Sequence, residues 1–235
     1  MTTHKNLYFI GGGGHFKVAY EIAKLNPEYL IQGYFDDSEN NPRNNYPYNE
    51  TKYLGTIQND LSTIIMANSR NSNLKLPDND YYFITIGNNE IRKKIVNSFK
   101  VIYRWATLIH PRAIINTKLE NILHGVLICA GAVIEPGTHI GQYSIINTNA
   151  SVNHDCDISC FVHICPGTNL CGDVSVGWGT MIGAGSTVKE KINIAGECII
   201  GSGSNVVKNI ERPKTLAYGN PCKEIKDIKL DMAFN

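Results

Sequence analysis

From Ile122 to Val206 every sixth residue is aliphatic, in an unbroken series: Ile122, Ile128, Ile134, Ile140, Ile146, Val152, Ile158, Ile164, Leu170, Val176, Ile182, Val188, Ile194, Ile200 and Val206. Two residues before most of these stands a small or β-branched residue: Ala132, Thr138, Ser144, Ala150, Cys156, Thr168, Thr180, Ser186, Cys198 or Ser204. A six-residue period does not fit an α-helical turn, and it need not mean a flat alternating strand. It marks a parallel β-helix, in which each hexad supplies one short strand and one turn. The aliphatic side chain points into the prism and the small residue occupies the crowded corner beside it. At three hexads per coil, the fifteen hexads make five coils.

The rest of the composition suits a soluble chain of two parts. With 235 residues there is ample length for two cores. A net charge of +1 leaves no basic stripe for nucleic acid and no acidic tail. The opening segment has only a short apolar run before its glycines, so it reads as a first strand and not as a signal peptide or membrane span. The seven cysteines are expected to be reduced thiols of a cytoplasmic protein, with Cys156 and Cys198 at small-residue positions of the hexad. They do not supply the two tight Cys-x2-Cys pairs of a zinc site, and no metal is expected.

Residues 1–105 read as a small Rossmann-like α/β domain, and residues 106–235 as the β-helix with a C-terminal tail. A strand at Leu7–Ile10 runs into Gly11-Gly12-Gly13-Gly14-His15, followed by a helix from Phe16 to Leu25 with Val18, Ile22 and Leu25 on one face. A second strand covers Tyr29 to Phe35 and stops at Asp36-Asp37. An Asn/Pro-rich loop (38–48), a weak helix (60–67) and a polar break (68–80) lead to a third strand at Tyr81–Ile86. The segment Gly87-Asn88-Asn89 then opens a helix over Glu90–Ser98. This order predicts a parallel doubly wound sheet.

A glycine loop between a first strand and a helix can cradle phosphate with its backbone N–H groups, and Asp36 lies where ribose or base hydrogen bonding is often found. The dinucleotide spelling GxGxxG fails, because Phe16 stands where the last glycine belongs. One nucleotide, as in a nucleotide sugar, suits a half-size unit better than NAD. Glycines that merely make a tight turn are the plainer alternative.

On the β-helix, His139 and His163 directly precede inward aliphatics and should point outward. His4 and His124 read as surface residues. His154 falls in the turn of its hexad beside Asp155, and Gly172 lies one coil above it. A base, an acid that orients it and a backbone oxyanion donor are the parts an acyl transfer needs. Neighbours on a regular strand point apart, which works against the His154–Asp155 pair.

The chain resembles the left-handed β-helix acyltransferases of the hexapeptide-repeat family. More narrowly, it is similar to the nucleotide-sugar N-acetyltransferases of the bacillosamine and perosamine type and to related sialic acid O-acetyltransferases. The likeness rests on Gly12-Gly13-Gly14-His15, Phe35-Asp36-Asp37, the run from Phe83 through Gly87 to Lys94, and Leu108-Ile109-His110-Pro111. It extends through Asn147-Thr148, Val152-Asn153-His154-Asp155-Cys156 and Gly219-Asn220-Pro221. The left hand comes from this resemblance, since ordinary crossovers are right-handed.

The resemblance implies that His154 is the general base and Asp155 its orienting acid. Many relatives carry glutamate there, so the shorter aspartate departs from the pattern. It implies Gly172 as oxyanion donor, His163 near the acetyl-CoA thioester, and Ala184 and Ser202 lining the CoA groove by main-chain contacts. Gly13, Gly14, His15, Asp36, Asp37 and Gly87 match the nucleotide-sugar site. The family is trimeric, with CoA between neighbouring prisms, and prism faces too apolar for a lone monomer give a separate reason to expect association.

The expected reaction is direct acetyl transfer from acetyl-CoA to the 4-amino group of a UDP-, dTDP- or GDP-linked 4-amino-4,6-dideoxy sugar, a step of glycan assembly. O-acetylation of a sugar hydroxyl would use the same histidine. A γ-type carbonic anhydrase needs a His-x4-His pair that is absent, and a non-catalytic scaffold needs neither His154-Asp155 nor the glycine loop.

Overall fold

The computed structural model describes residues 4–38, 49–61, 79–99 and 104–228. Most of the Asn/Pro-rich loop, the polar break and the bulk of the expected 60–67 helix lie outside them. The chain divides into two compact units, Met1–Ile86 with Lys94–Ala106, and Gly87–Lys93 with Thr107–Asn235.

In the first unit, β1 (Lys5–Ile10), β2 (Tyr29–Phe35), β3 (Asp80–Ile84) and β4 (Arg104–Trp105) form a parallel sheet in the order β2-β1-β3-β4. Internal β1 contributes Leu7, Phe9 and Ile10 to the core at 1% exposure or less. Helix α1 (Gly14–Lys24) covers it, but not with the expected face. Phe16, Ala19, Tyr20, Ile22 and Ala23 are buried, whereas Val18 and Leu25 are 39% and 53% exposed. The aromatics decide the rotation of the helix: Phe16 meets Phe9 edge-on at 5.3 Å and Tyr34 at 4.9 Å. Such rings bury more apolar area than a valine and a leucine.

The second unit is a left-handed parallel β-helix. Its coil strands are two residues long and stack in three sheets, so Ile146 lies beside Ile164, then Ile182, then Ile200, and an antiparallel pair, Thr215–Gly219 with Cys222–Asp227, follows the last coil. Face one carries Leu127–Ile128, Ile145–Ile146, His163–Ile164, Met181–Ile182 and Ile199–Ile200; face two includes Ser151–Val152, Asn169–Leu170 and Thr187–Val188; face three includes Asp157–Ile158 and Ser175–Val176. All fifteen hexad aliphatics are buried, none above 8% exposure. The small residues two places earlier do more than fit. Thr138, Ser144, Thr168, Thr180 and Ser186 donate to the carbonyls of Asn153, Ser159, Gly183, Ala195 and Gly201 on the next coil. A buried hydroxyl is tolerated because it is bonded in this way.

The turns have a third periodic position. Residue 125 and every sixth residue to 203 have φ between +56° and +78°. Ten of these fourteen are Gly, Asn or Asp, the residues that adopt this left-handed conformation at least cost. The prism faces are less apolar than expected. Outward residues of face three (His139, Asp157, Ser175, Asn193) are polar, and those of face two are polar from Ser151 onward (Ser151, Asn169, Thr187, Asn205) after the apolar Ile114 and Val133. Face one carries the longest apolar row, Leu127, Ile145, Met181 and Ile199, interrupted by His163, and of these Leu127 and Ile145 are already buried within the chain. No helix among the described residues is long and apolar enough to cross a membrane.

Candidate active site

The turn between faces two and three holds His154 and Asp155. Asp155 is one of the left-handed residues, with φ 59°. That conformation swings its side chain to the same side as its neighbour, so the divergence expected of a regular strand does not occur. His154 Nδ1 lies 2.9 Å from Asp155 Oδ2, and both side chains are about two-thirds exposed (65% and 67%). With the carboxylate ionised, Nδ1–H donates to it and Nε2 is left as the proton acceptor.

Glycines above and below make room for this pair. A Cβ at Gly172, one coil up, would stand 2.4 Å from His154 Cε1 and Nε2. One coil down, a Cβ at Gly137 would stand 2.2 Å from Asp155 Oδ1. Gly137 is a site residue that sequence reasoning missed, although its place in the left-handed series, one coil below Asp155, was there to be read. The Gly172 N–H has no hydrogen-bond partner among the described residues. It therefore sits beside the imidazole as an available donor.

His163 lies on face one, where Asn147 Nδ2 approaches its Nε2 at 3.1 Å. Ala184 and Ser202 stand one above the other on the edge between faces one and two, and their N–H groups also have no partner among the described residues. Two stacked free donors suit a ligand rich in amide carbonyls. Within one chain this edge is not the edge of His154, so the structure does not bring base and groove together.

In the first unit the residues expected at a nucleotide-sugar site divide by role. Gly11 is required by the fold, with φ +101° and Ile86 Cγ1 only 2.7 Å from where its Cβ would be. At Gly13 and Gly14 a Cβ would meet nothing within 4 Å, and neither has positive φ. Their glycine identity is thus explained neither by packing nor by backbone. The Asp36 carboxylate accepts the Gly12 N–H and, at 2.8 Å, the Ser38 N–H. Asp37 Oδ1 accepts the N–H groups of Ile57 and Gln58, at 2.7 and 3.0 Å. Both aspartates are therefore engaged in holding loops. His15 is half-buried at the start of α1. Gly87, in the second unit, is open in the same sense as Gly13 and Gly14.

Among the described residues no group of three His, Cys, Asp or Glu side chains is placed to hold a metal ion. All seven cysteines are free thiols; burial raises those of Cys156 and Cys198, and pushes Cys165 to about 11 and Cys129 to about 12.

Residues 6–99 match the family model described as the PglD N-terminal domain. The chain is 31% identical over 165 residues to a GDP-perosamine N-acetyltransferase of Escherichia coli O157:H7, spanning 67% of this chain and 74% of that protein. The acetyltransferase domain of PglB from Neisseria gonorrhoeae, solved with acetyl coenzyme A, superposes with a TM-score of 0.79 at 28% identity, covering 95% of this chain and 100% of that one. A histidine-to-asparagine variant of perosamine N-acetyltransferase from Caulobacter crescentus, solved with CoA and GDP-perosamine, gives 0.79 at 28% identity, covering 96% and 99%. The chain belongs to the hexapeptide-repeat acetyltransferases, in the branch that carries this N-terminal domain. It is an acyltransferase using acetyl-CoA.

Proposed function

We propose that the protein transfers the acetyl group of acetyl-CoA to the 4-amino group of a nucleotide-linked 4-amino-4,6-dideoxy sugar. The observation that carries this reading is the dyad on the turn: His154 tied through Nδ1 to Asp155, with Gly172 packed against the imidazole from one coil up. The neutral amine attacks the thioester carbonyl, forming the C–N bond as Nε2 takes the amine proton. The Gly172 N–H steadies the oxyanion. Collapse breaks the C–S bond, and the imidazolium returns the proton to the departing CoA thiolate. No covalent enzyme intermediate is required.

The amino-sugar substrate is supported by the relatives, two of which are named for perosamine and one of which was solved with GDP-perosamine. The open glycines 13 and 14 suit a ligand whose phosphates approach the backbone closely, and Gly87 leaves the same clearance within the second unit. The Ala184–Ser202 edge suits the pantetheine arm of CoA, with His163 toward the thioester. Because that edge is distinct from His154's, we place the working site between neighbouring chains of a homotrimer, each giving the base to its neighbour's groove.

The test is release of free CoA thiol from acetyl-CoA against UDP-, dTDP- and GDP-linked 4-amino-4,6-dideoxyhexoses beside their 4-hydroxy counterparts. Turnover confined to an amino sugar is the expected result and names the nucleotide. Turnover confined to hydroxyl sugars overturns N-acetylation in favour of O-acetylation, and silence with a folded protein overturns the enzyme reading.

A further inference from the structure

Helix α2 (Asn89–Ser98) begins with two buried polar side chains, Asn89 at 3% exposure and Arg92 at 1%. A guanidinium is costly to bury, and an apolar residue of similar volume would pack there without that cost. What arginine adds is a rigid fork of donors, and here all three of its nitrogens donate. Nε donates to the Tyr143 carbonyl at 2.8 Å, Nη2 to the Phe161 carbonyl at 3.1 Å and to Asn89 Oδ1 at 2.7 Å, and Nη1 to the Gly87 carbonyl at 3.1 Å. Asn89 Nδ2 continues the series, donating to the carbonyls of Gly179 at 3.0 Å and Thr180 at 3.2 Å.

The acceptors are not arbitrary. Tyr143, Phe161 and Gly179 are successive left-handed residues of a single prism edge, with φ of 58°, 59° and 68°. Turn carbonyls at these positions lie outside the strand ladders, so they form a column of acceptors spaced by one coil. Lys93 carries the attachment one coil further, with Nζ 4.0 Å above the Trp178 ring and 3.9 Å from Glu197. At the other end, Arg92 grips Gly87 by its carbonyl, and Asn88 Oδ1 accepts the Ile91 N–H at 3.0 Å. The open side of Gly87 is left clear. Burial pushes the Arg92 guanidinium down to about 9, so it stays charged at neutral pH.

We propose that Asn89 and Arg92 are positioning residues for the substrate: they fasten the Gly87–Lys93 segment to the carbonyl column of this edge and so hold Gly87 in place for the nucleotide sugar. This rests on the function proposed above. Neither residue touches the reacting atoms, so their loss acts on sugar affinity and not on the chemical step.

The test uses Arg92→Met and Asn89→Ala in the full-length protein, the second retained should the first fail to fold. Two readouts are taken: KM for the nucleotide sugar and for acetyl-CoA with kcat, and hydrogen exchange of the residue 87–93 amides without ligand. The expected result is a rise in sugar KM of about tenfold, with kcat and acetyl-CoA KM within about twofold, and faster exchange at 87–93 only. Unchanged exchange overturns the clamp. Faster exchange with an unchanged sugar KM overturns its link to the substrate, as does a parallel fall in every kinetic parameter. A wild-type protein silent on all nucleotide sugars sinks the proposed function and the positioning role with it, while the exchange readout still decides whether the clamp exists.

Discussion

Asp155 shows how one backbone angle makes a site. At φ 59° it turns toward His154; in extended geometry it would turn away. Replacing His154 by Ala should lower kcat by about 10²–10⁴ while calorimetry still detects both substrates; full activity would sink the assignment. Gly172→Ala is the more particular test, because its Cβ would stand 2.4 Å from the imidazole. Displacing a base by about 1 Å can cost on the order of 10² in rate, so kcat should fall by about that factor with acetyl-CoA KM unchanged. A kcat near wild type would show that the ring works from elsewhere. At this scale the sequence showed His154 in a turn beside an acid, because phase on the hexad is enough for that. It did not show that the pair could meet, since the meeting depends on the left-handed residue. The Gly/Asn/Asp column at 125, 131, 137, 149, 155 and onward carried that information, offset by three from the aliphatics.

The hexad is also a unit of stability. Thr180 is fully buried, donates to Ala195 O at 2.8 Å and accepts the Cys198 N–H at 3.0 Å. Thr180→Val keeps the shape but strands a carbonyl and an N–H, which should cost about 1–3 kcal/mol. Ile182→Ala, which empties part of the prism, should cost about 2–5 kcal/mol. Urea unfolding compares the two, and a neutral Thr180→Val would mean the hydroxyl ladder is dispensable. The thiols give a second check at this scale. Cys129, Cys156, Cys165 and Cys198 are buried with raised pKa values, so little reactive thiolate forms near neutral pH. A thiol reagent at pH 8 should titrate at most the other three in the native protein and all seven in denaturant. Elements of the first unit were less legible. The parallel α/β class followed from the glycine loop and the alternation with helices, but the strand order β2-β1-β3-β4 and the buried face of α1 did not. Spacing alone cannot weigh Phe16 and Tyr20 against Val18 and Leu25; their partners Phe9 and Tyr34 decide it.

At the scale of the whole molecule, the dyad and the proposed CoA groove occupy different edges of one prism, a separation that phase already implied once three hexads make a coil. The polarity of face three and of most of face two was equally open to reading from the residues just before each aliphatic, and it weakens general stickiness as the reason to associate. Shared sites are a better reason, and subunit mixing tests them. Chains carrying His154→Ala, co-assembled at random with chains whose groove is blocked by Ala184→Trp, should regain activity at about one quarter of the sites. No recovery would mean that each site is built within a single chain. The same arrangement has a consequence for how the protein behaves in dilute solution. The dyad is complete within one turn and needs no neighbour to form, so under the proposed shared site a dissociated chain would be folded yet idle. Specific activity would then fall on dilution without any loss of secondary structure, and acetyl-CoA bound across the proposed seam would oppose the fall by mass action. The co-substrate would thereby act as an adhesive for the assembly that consumes it.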